Sequence, residues 1–128
     1  MVLLGQTFVN ARAGRVRSHL WIVLSDPQDD PNEVVLVNLT TWQGWDPDPT
    51  CVVNPGEHDF VKHKSYVNYA EAKCASVANI ELLLKRGQLS LHKDVPPELL
   101  ERVLQGFAKS DSVAGRLQAK LRAQRLIS

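Results

Sequence analysis

Two apolar runs, residues 19–24 and 33–39, constrain this 128-residue chain more than anything else in it. The first, His19-Leu20-Trp21-Ile22-Val23-Leu24, is apolar at nearly every position after its histidine. The second carries Val34, Val35, Leu36, Val37 and Leu39. Such runs, too short for buried helices and rich in β-branched residues, read as strands covered on both faces. Between them lies Asp26-Pro27-Gln28-Asp29-Asp30-Pro31-Asn32, a stretch of turn residues. The two runs therefore form an antiparallel hairpin. Weaker strand patterns occupy residues 6–10, 50–54 and 60–69, and residues 71–74 continue the last or begin another. Short strands with frequent turn signals imply a compact β-barrel over residues 5–75, with Trp21, Val23, Val35 and Val37 in its core.

The period then changes from two to about three and a half. Ser76 is placed to N-cap a helix through Ile80, Leu83 and Leu84, and Gly87 to close it. Pro96-Pro97 opens a second helix, whose Leu99, Leu100, Val103, Leu104 and Phe107 form an apolar stripe. A third is expected from about Ser112, with Val113, Leu117 and Leu121 on one side and Arg116, Lys120, Arg122 and Arg125 along the same segment. The basic side chains admit an acidic partner or nucleic acid, and the apolar side equally admits packing on the chain's own core. The fold class is mainly β with added helices (α+β): a barrel with a short helix over residues 1–95, and a helical extension of the same domain over 96–128. That length supports one core without disulfide or metal staples.

Charge is distributed unevenly. Residues 18–61 hold eight acidic side chains and no lysine or arginine, whereas residues 60–128 hold twelve basic and six acidic ones. The pattern permits a basic face opposite an acidic one. Residues 56–69 concentrate His58, Lys62, His63, Lys64, Ser65, Tyr66 and Tyr69, an unusual density of polar groups for a segment with strand character. Cys51 and Cys74 fit no repeated zinc or redox pattern, and the histidine spacing supports no metal site; no cofactor is expected. Met1 precedes only three apolar residues, and no run approaches the roughly 18 needed to span a bilayer. A reduced cytoplasmic setting, away from membranes, is the expectation.

The order of the pieces resembles the PemK/MazF-like toxins. Gly5-Gln6-Thr7-Phe8 looks like that family's opening strand, and residues 19–25 resemble the strand it writes as Arg-Pro followed by apolar residues and Ser. Val35-Leu36-Val37-Asn38-Leu39-Thr40-Thr41 looks like the strand that follows. Residues 59–67 resemble the later segment, and residues 79–84 fall where the family places a short helix. The resemblance spans roughly residues 5–87. His19-Leu20 stands in place of the Arg-Pro pair, with Arg15 and Arg17 just upstream, and Thr40 matches the family's functional threonine.

The resemblance implies a small SH3-like β-barrel followed by helices, which cleaves single-stranded RNA without a metal, pairs as a homodimer and is neutralised by a small antitoxin. Such cleavage needs a base for the 2′-hydroxyl, an acid for the leaving 5′-oxygen and a cation for the phosphorane. Histidine serves the first two near neutrality and arginine the third. On this reading Arg17, His19 and Thr40 are catalytic, and Arg15, Trp42, His58, Lys62, His63, Ser65 and Tyr66 bind RNA. Trp42 and Trp45 are candidates for base stacking, although Asp46 and Asp48 repel phosphate beside them. Two other readings remain open: a non-catalytic, protein-binding barrel like the CcdB-like toxins that bind a topoisomerase, and an accessory protein docking through its basic carboxyl-terminal helix.

Overall fold

The computed structural model describes residues 1–10, 19–43 and 46–128. In chain order these form β1 (Thr7–Asn10), β2 (Leu20–Val23), β3 (Glu33–Thr41), β4 (Val52–Val53), β5 (Ser65–Ser76), α1 (Val77–Lys85), β6 (Leu89–His92), α2 (Pro97–Lys109) and α3 (Gly115–Ala123). All six strands join one antiparallel sheet in the order β4-β5-β3-β2-β1-β6. The sheet is curled into a half-barrel whose edges are β4 and β6, so the expected mainly β fold with added helices is present but the barrel is open. Arg102 of α2 reaches the open side, donating to the Val52 carbonyl of β4 and pairing with Glu57.

Strand alternation explains the near-continuous apolar runs. Leu20, Ile22, Val35, Val37 and Leu39 point into one cluster, which Leu99, Val103, Leu104 and Phe107 of α2 and Leu117 and Leu121 of α3 complete. Val23, Val34 and Leu36 point into a second cluster with Val2, Phe8, Val77, Ile80 and Leu89. Both faces are covered, so neither needs polar residues. Val23, Val35 and Val37 are core residues as expected, but Trp21 is only half-buried, under Lys73, whose Nζ lies 4.5 Å from the ring centroid. The α3 helix turns its apolar side onto its own core, and Lys120 pairs with Asp30 and Glu33. With Lys93–Asp59 and Arg102–Glu57, this joins basic residues of the second half to acids of the first, so at these pairs the charges interleave rather than separate.

Helix ends follow the sequence. Ser76 caps α1 by accepting from the Asn79 N–H. Gly87, at φ +74°, ends it while its own N–H bonds Leu84 and that of Gln88 bonds Leu83, a paired closure that glycine favours. The α3 helix starts at Gly115 rather than Ser112, and the Ser112 N–H bonds the Ser110 hydroxyl in the turn before it.

Two elements differ from the sequence reading. The strand expected from Phe60 starts at Ser65, because residues 58–61 close on themselves: the Val61 N–H bonds the His58 carbonyl and the Phe60 N–H bonds the His58 ring. The β6 strand is unanticipated; only Leu89 of its four residues is buried, so it lacks an amphipathic pattern. A large bulge interrupts the β3–β5 ladder, where the two steps from Leu36 to Asn38 face the five from Lys73 back to Asn68.

Candidate active site

The hairpin registers bring distant residues into one row. Leu20 faces Leu39 and Thr40 faces Tyr66, so His19, one residue before β2, sits beside Thr40 at the same end of the sheet. Residues 60–63 pass across that end. Together they wall a cleft of about 440 Å³ lined by His19, Thr40, Phe60, Lys62, His63 and Tyr66, with Leu39, Thr41, Gln43, Val61 and Ser65 completing it.

The hydrogen bonds define what each group offers. His19 Nδ1 lies 3.2 Å from the Leu39 carbonyl, which only accepts, so Nδ1 carries a proton and, in the neutral ring, the lone pair is on Nε2. That is the tautomer of a general base. Thr40 Oγ1 bonds Asn38 Oδ1 at 3.0 Å, and Asn38 Nδ2 bonds Glu71 Oε2 at 2.6 Å. The nearly buried Ser65 donates its hydroxyl to the His63 carbonyl at 2.9 Å, shaping the turn that presents His63. Lys62 and His63 are exposed on the rim.

The segment 57–63 is held by its own bonds. His58 is buried, its Nε2 donating to the Lys93 carbonyl at 2.6 Å while Nδ1 accepts from the Phe60 N–H at 3.0 Å. Asp59 pairs with Lys93 at 2.9 Å, a hydrogen bond that lowers its carboxyl below the usual range, and the rings of Phe60 and His92 meet edge to face at 5.3 Å. His58 therefore does not join His19 in the cleft; its ring anchors the segment that carries Lys62 and His63. Trp42 stands beside the cleft, edge-on to Tyr66 at 6.0 Å, with Lys64 Nζ 4.0 Å from its ring centroid. Arg15, Arg17 and Trp45 lie outside the described residues.

Sequence reasoning overlooked Asn38 and Glu71. A signal existed for the first: Asn38 is the lone polar residue in the apolar run 34–39, and it is fully buried. Burial raises the thiol pKa of both Cys51 and Cys74, the opposite of nucleophile activation. Among the described residues no group of three His, Cys, Asp or Glu side chains is placed to hold a metal, and no helix is long and apolar enough to cross a membrane.

No protein-family model matches the chain, and no curated protein matches it by sequence. Solved structures do. The chain is similar to an endoribonuclease in complex with its cognate antitoxin from a mycobacterial species, at TM-score 0.54 and 18% identity over 88% of this chain and 95% of that one. It is also similar to a mycobacterial endoribonuclease at TM-score 0.56 and 19% identity, over 88% of this chain and 92% of that one. At these identities the likeness concerns architecture, and it agrees with the toxin-like order of strands read from the sequence. The chain has the fold of these endoribonucleases.

Proposed function

We propose that this chain is a toxin-type endoribonuclease that cuts single-stranded RNA in the cleft of His19, Thr40, Lys62 and His63, without a metal. The observation that carries the proposal is the meeting of two histidines and a lysine around one threonine, on a fold shared with endoribonucleases. In the proposed reaction His19 Nε2 removes the proton of a ribose 2′-hydroxyl. The 2′-oxygen attacks phosphorus, the bond to the 5′-oxygen breaks, and protonated His63 returns a proton to that leaving oxygen. Lys62 offsets the extra charge on the phosphorane, with Arg15 and Arg17, which precede His19 in the chain, as further cations. The products are a 2′,3′-cyclic phosphate and a 5′-hydroxyl.

Tyr66, with Trp42 against its edge, offers an aromatic surface for an unpaired base. A small antitoxin is the proposed protein partner, supported by the complex solved for one structural neighbour. A homodimer in the cytoplasm belongs to the same proposal. His19→Ala and His63→Ala are each expected to slow cleavage of a single-stranded RNA roughly 10²–10⁴-fold, the usual contribution of general acid–base catalysis, with unchanged thermal unfolding. Both variants cleaving at the parental rate would remove the catalytic assignment and favour a binding module, a role consistent with His19 standing where the resembled family has arginine.

A further inference from the structure

The bonds behind Thr40 fix which way its hydroxyl faces. Glu71 lies in the β5 bulge, which brings its carboxylate back over β3 to within 2.6 Å of the Asn38 side-chain amide. An ionised carboxylate only accepts hydrogen bonds, so the Asn38 group facing it is the NH₂. That orientation turns the Asn38 carbonyl oxygen towards Thr40. A carbonyl also only accepts, so the Thr40 hydroxyl spends its single proton on Asn38. Thr40 then has lone pairs and no proton to present to the cleft. Asn38 is fully buried, so these two partners rather than bulk water set which way its amide faces.

We propose that Glu71 and Asn38 are positioning residues that hold Thr40 as a hydrogen-bond acceptor, so that it receives an O–H or N–H donor of a bound nucleotide rather than a phosphate oxygen. The inference rests on the ribonuclease reading for its ligand and on the protein alone for its polarity. A phosphate oxygen set against the Thr40 lone pairs would be repelled. The donors a nucleotide carries are a ribose hydroxyl and the ring or exocyclic N–H groups of a base.

Glu71→Lys separates this role from a merely structural one, because an ammonium only donates. It would turn the Asn38 carbonyl towards position 71 and its NH₂ towards Thr40, freeing the Thr40 proton for the cleft. Amide NMR of the free protein reads this polarity directly. One Asn38 side-chain proton should lie far downfield, stay there in Thr40→Val, and move upfield in Glu71→Lys. A resonance that instead follows Thr40→Val and ignores Glu71→Lys would overturn the relay.

The ligand is read by fluorescence anisotropy with one mixed-sequence decanucleotide, made as RNA and as DNA, using His19→Ala protein so that the RNA stays whole. Thr40→Val should weaken binding about three- to tenfold, the size of one net hydrogen bond. Loss confined to RNA identifies a ribose hydroxyl as the donor, and equal loss on both identifies a base N–H. In Glu71→Lys protein the same Thr40 substitution should lose this effect; equal effects in both backgrounds would contradict the relay. Unchanged or tighter binding in Thr40→Val would overturn the acceptor role. Failure of either oligonucleotide to bind any variant would overturn the ligand half together with the ribonuclease reading, while the amide spectrum would still decide the polarity.

Discussion

Gly106 lies in the last turn of α2, still within the helix, where glycine ordinarily weakens it, and its neighbour explains why it is there. A Cβ at this position would fall inside van der Waals distance of Tyr69 Oη and 3.0 Å from Cζ. Tyr69 cannot step aside: it is fully buried, its hydroxyl donates to the Val103 carbonyl at 2.7 Å, and its ring meets Phe107 edge to face at 6.1 Å. Burial, above all, raises its phenol pKa well beyond the usual range, so it stays a donor. Gly106→Ala should therefore destabilise the fold by about 1–3 kcal/mol, as overpacking commonly does, despite alanine's better helix propensity. Urea unfolding checks this, and a variant as stable as the parent would show that α2 shifts freely. Single residues also mark the limit of what sequence conveys. His19 beside Thr40 follows from a hairpin register, which apolar patterning specifies. Glu71 against Asn38 follows from a bulge whose position no local pattern announces.

Among the elements, the segment 57–63 decides whether the cleft has a second wall. Besides the His58 and Asp59 bonds, Glu57 ties its start to α2 through Arg102, and also accepts from the Asn54 N–H. Burial alone would raise the Glu57 carboxyl pKa, but the Arg102 hydrogen bond, the Asn54 N–H and the guanidinium charge outweigh it and hold it below the ordinary value. A depressed folded pKa contributes stability that is complete above the ordinary glutamate value, about 4.3, and is lost as the pH falls through the folded value. Glu57→Gln should thus be less stable than the parent at neutral pH and lose less on acidification below about pH 5. Denaturant midpoints between pH 3 and 7 would test this, and parallel curves for the two proteins would contradict it. The strand character of Tyr66, Val67 and Tyr69 was visible in the sequence. That the strand begins only at Ser65 was not, because a buried histidine ring captures the Phe60 N–H that a longer strand would have used.

Across the whole molecule, one curled sheet carries helices on both faces and leaves one end free for the cleft. The two apolar runs imply this layering directly, since strands apolar on both sides need cover on both sides. The amphipathic stripe of α2 supplies one cover, and α1 with the amino-terminal segment supplies the other. The cleft was less legible, because its far wall arrives from residues twenty or more positions after Thr40 and is fixed by contacts to His92 and Lys93 at the end of β6, an element with little amphipathic signature. The central claim is that this end of the sheet cuts RNA with side chains alone. Its most direct test is to incubate purified protein with single-stranded RNA in excess EDTA and determine the chemistry of any new ends. The account predicts undiminished cleavage leaving 2′,3′-cyclic phosphate and 5′-hydroxyl termini, and loss of those ends in His19→Ala. Intact RNA, or products bearing 5′-phosphates, would contradict it.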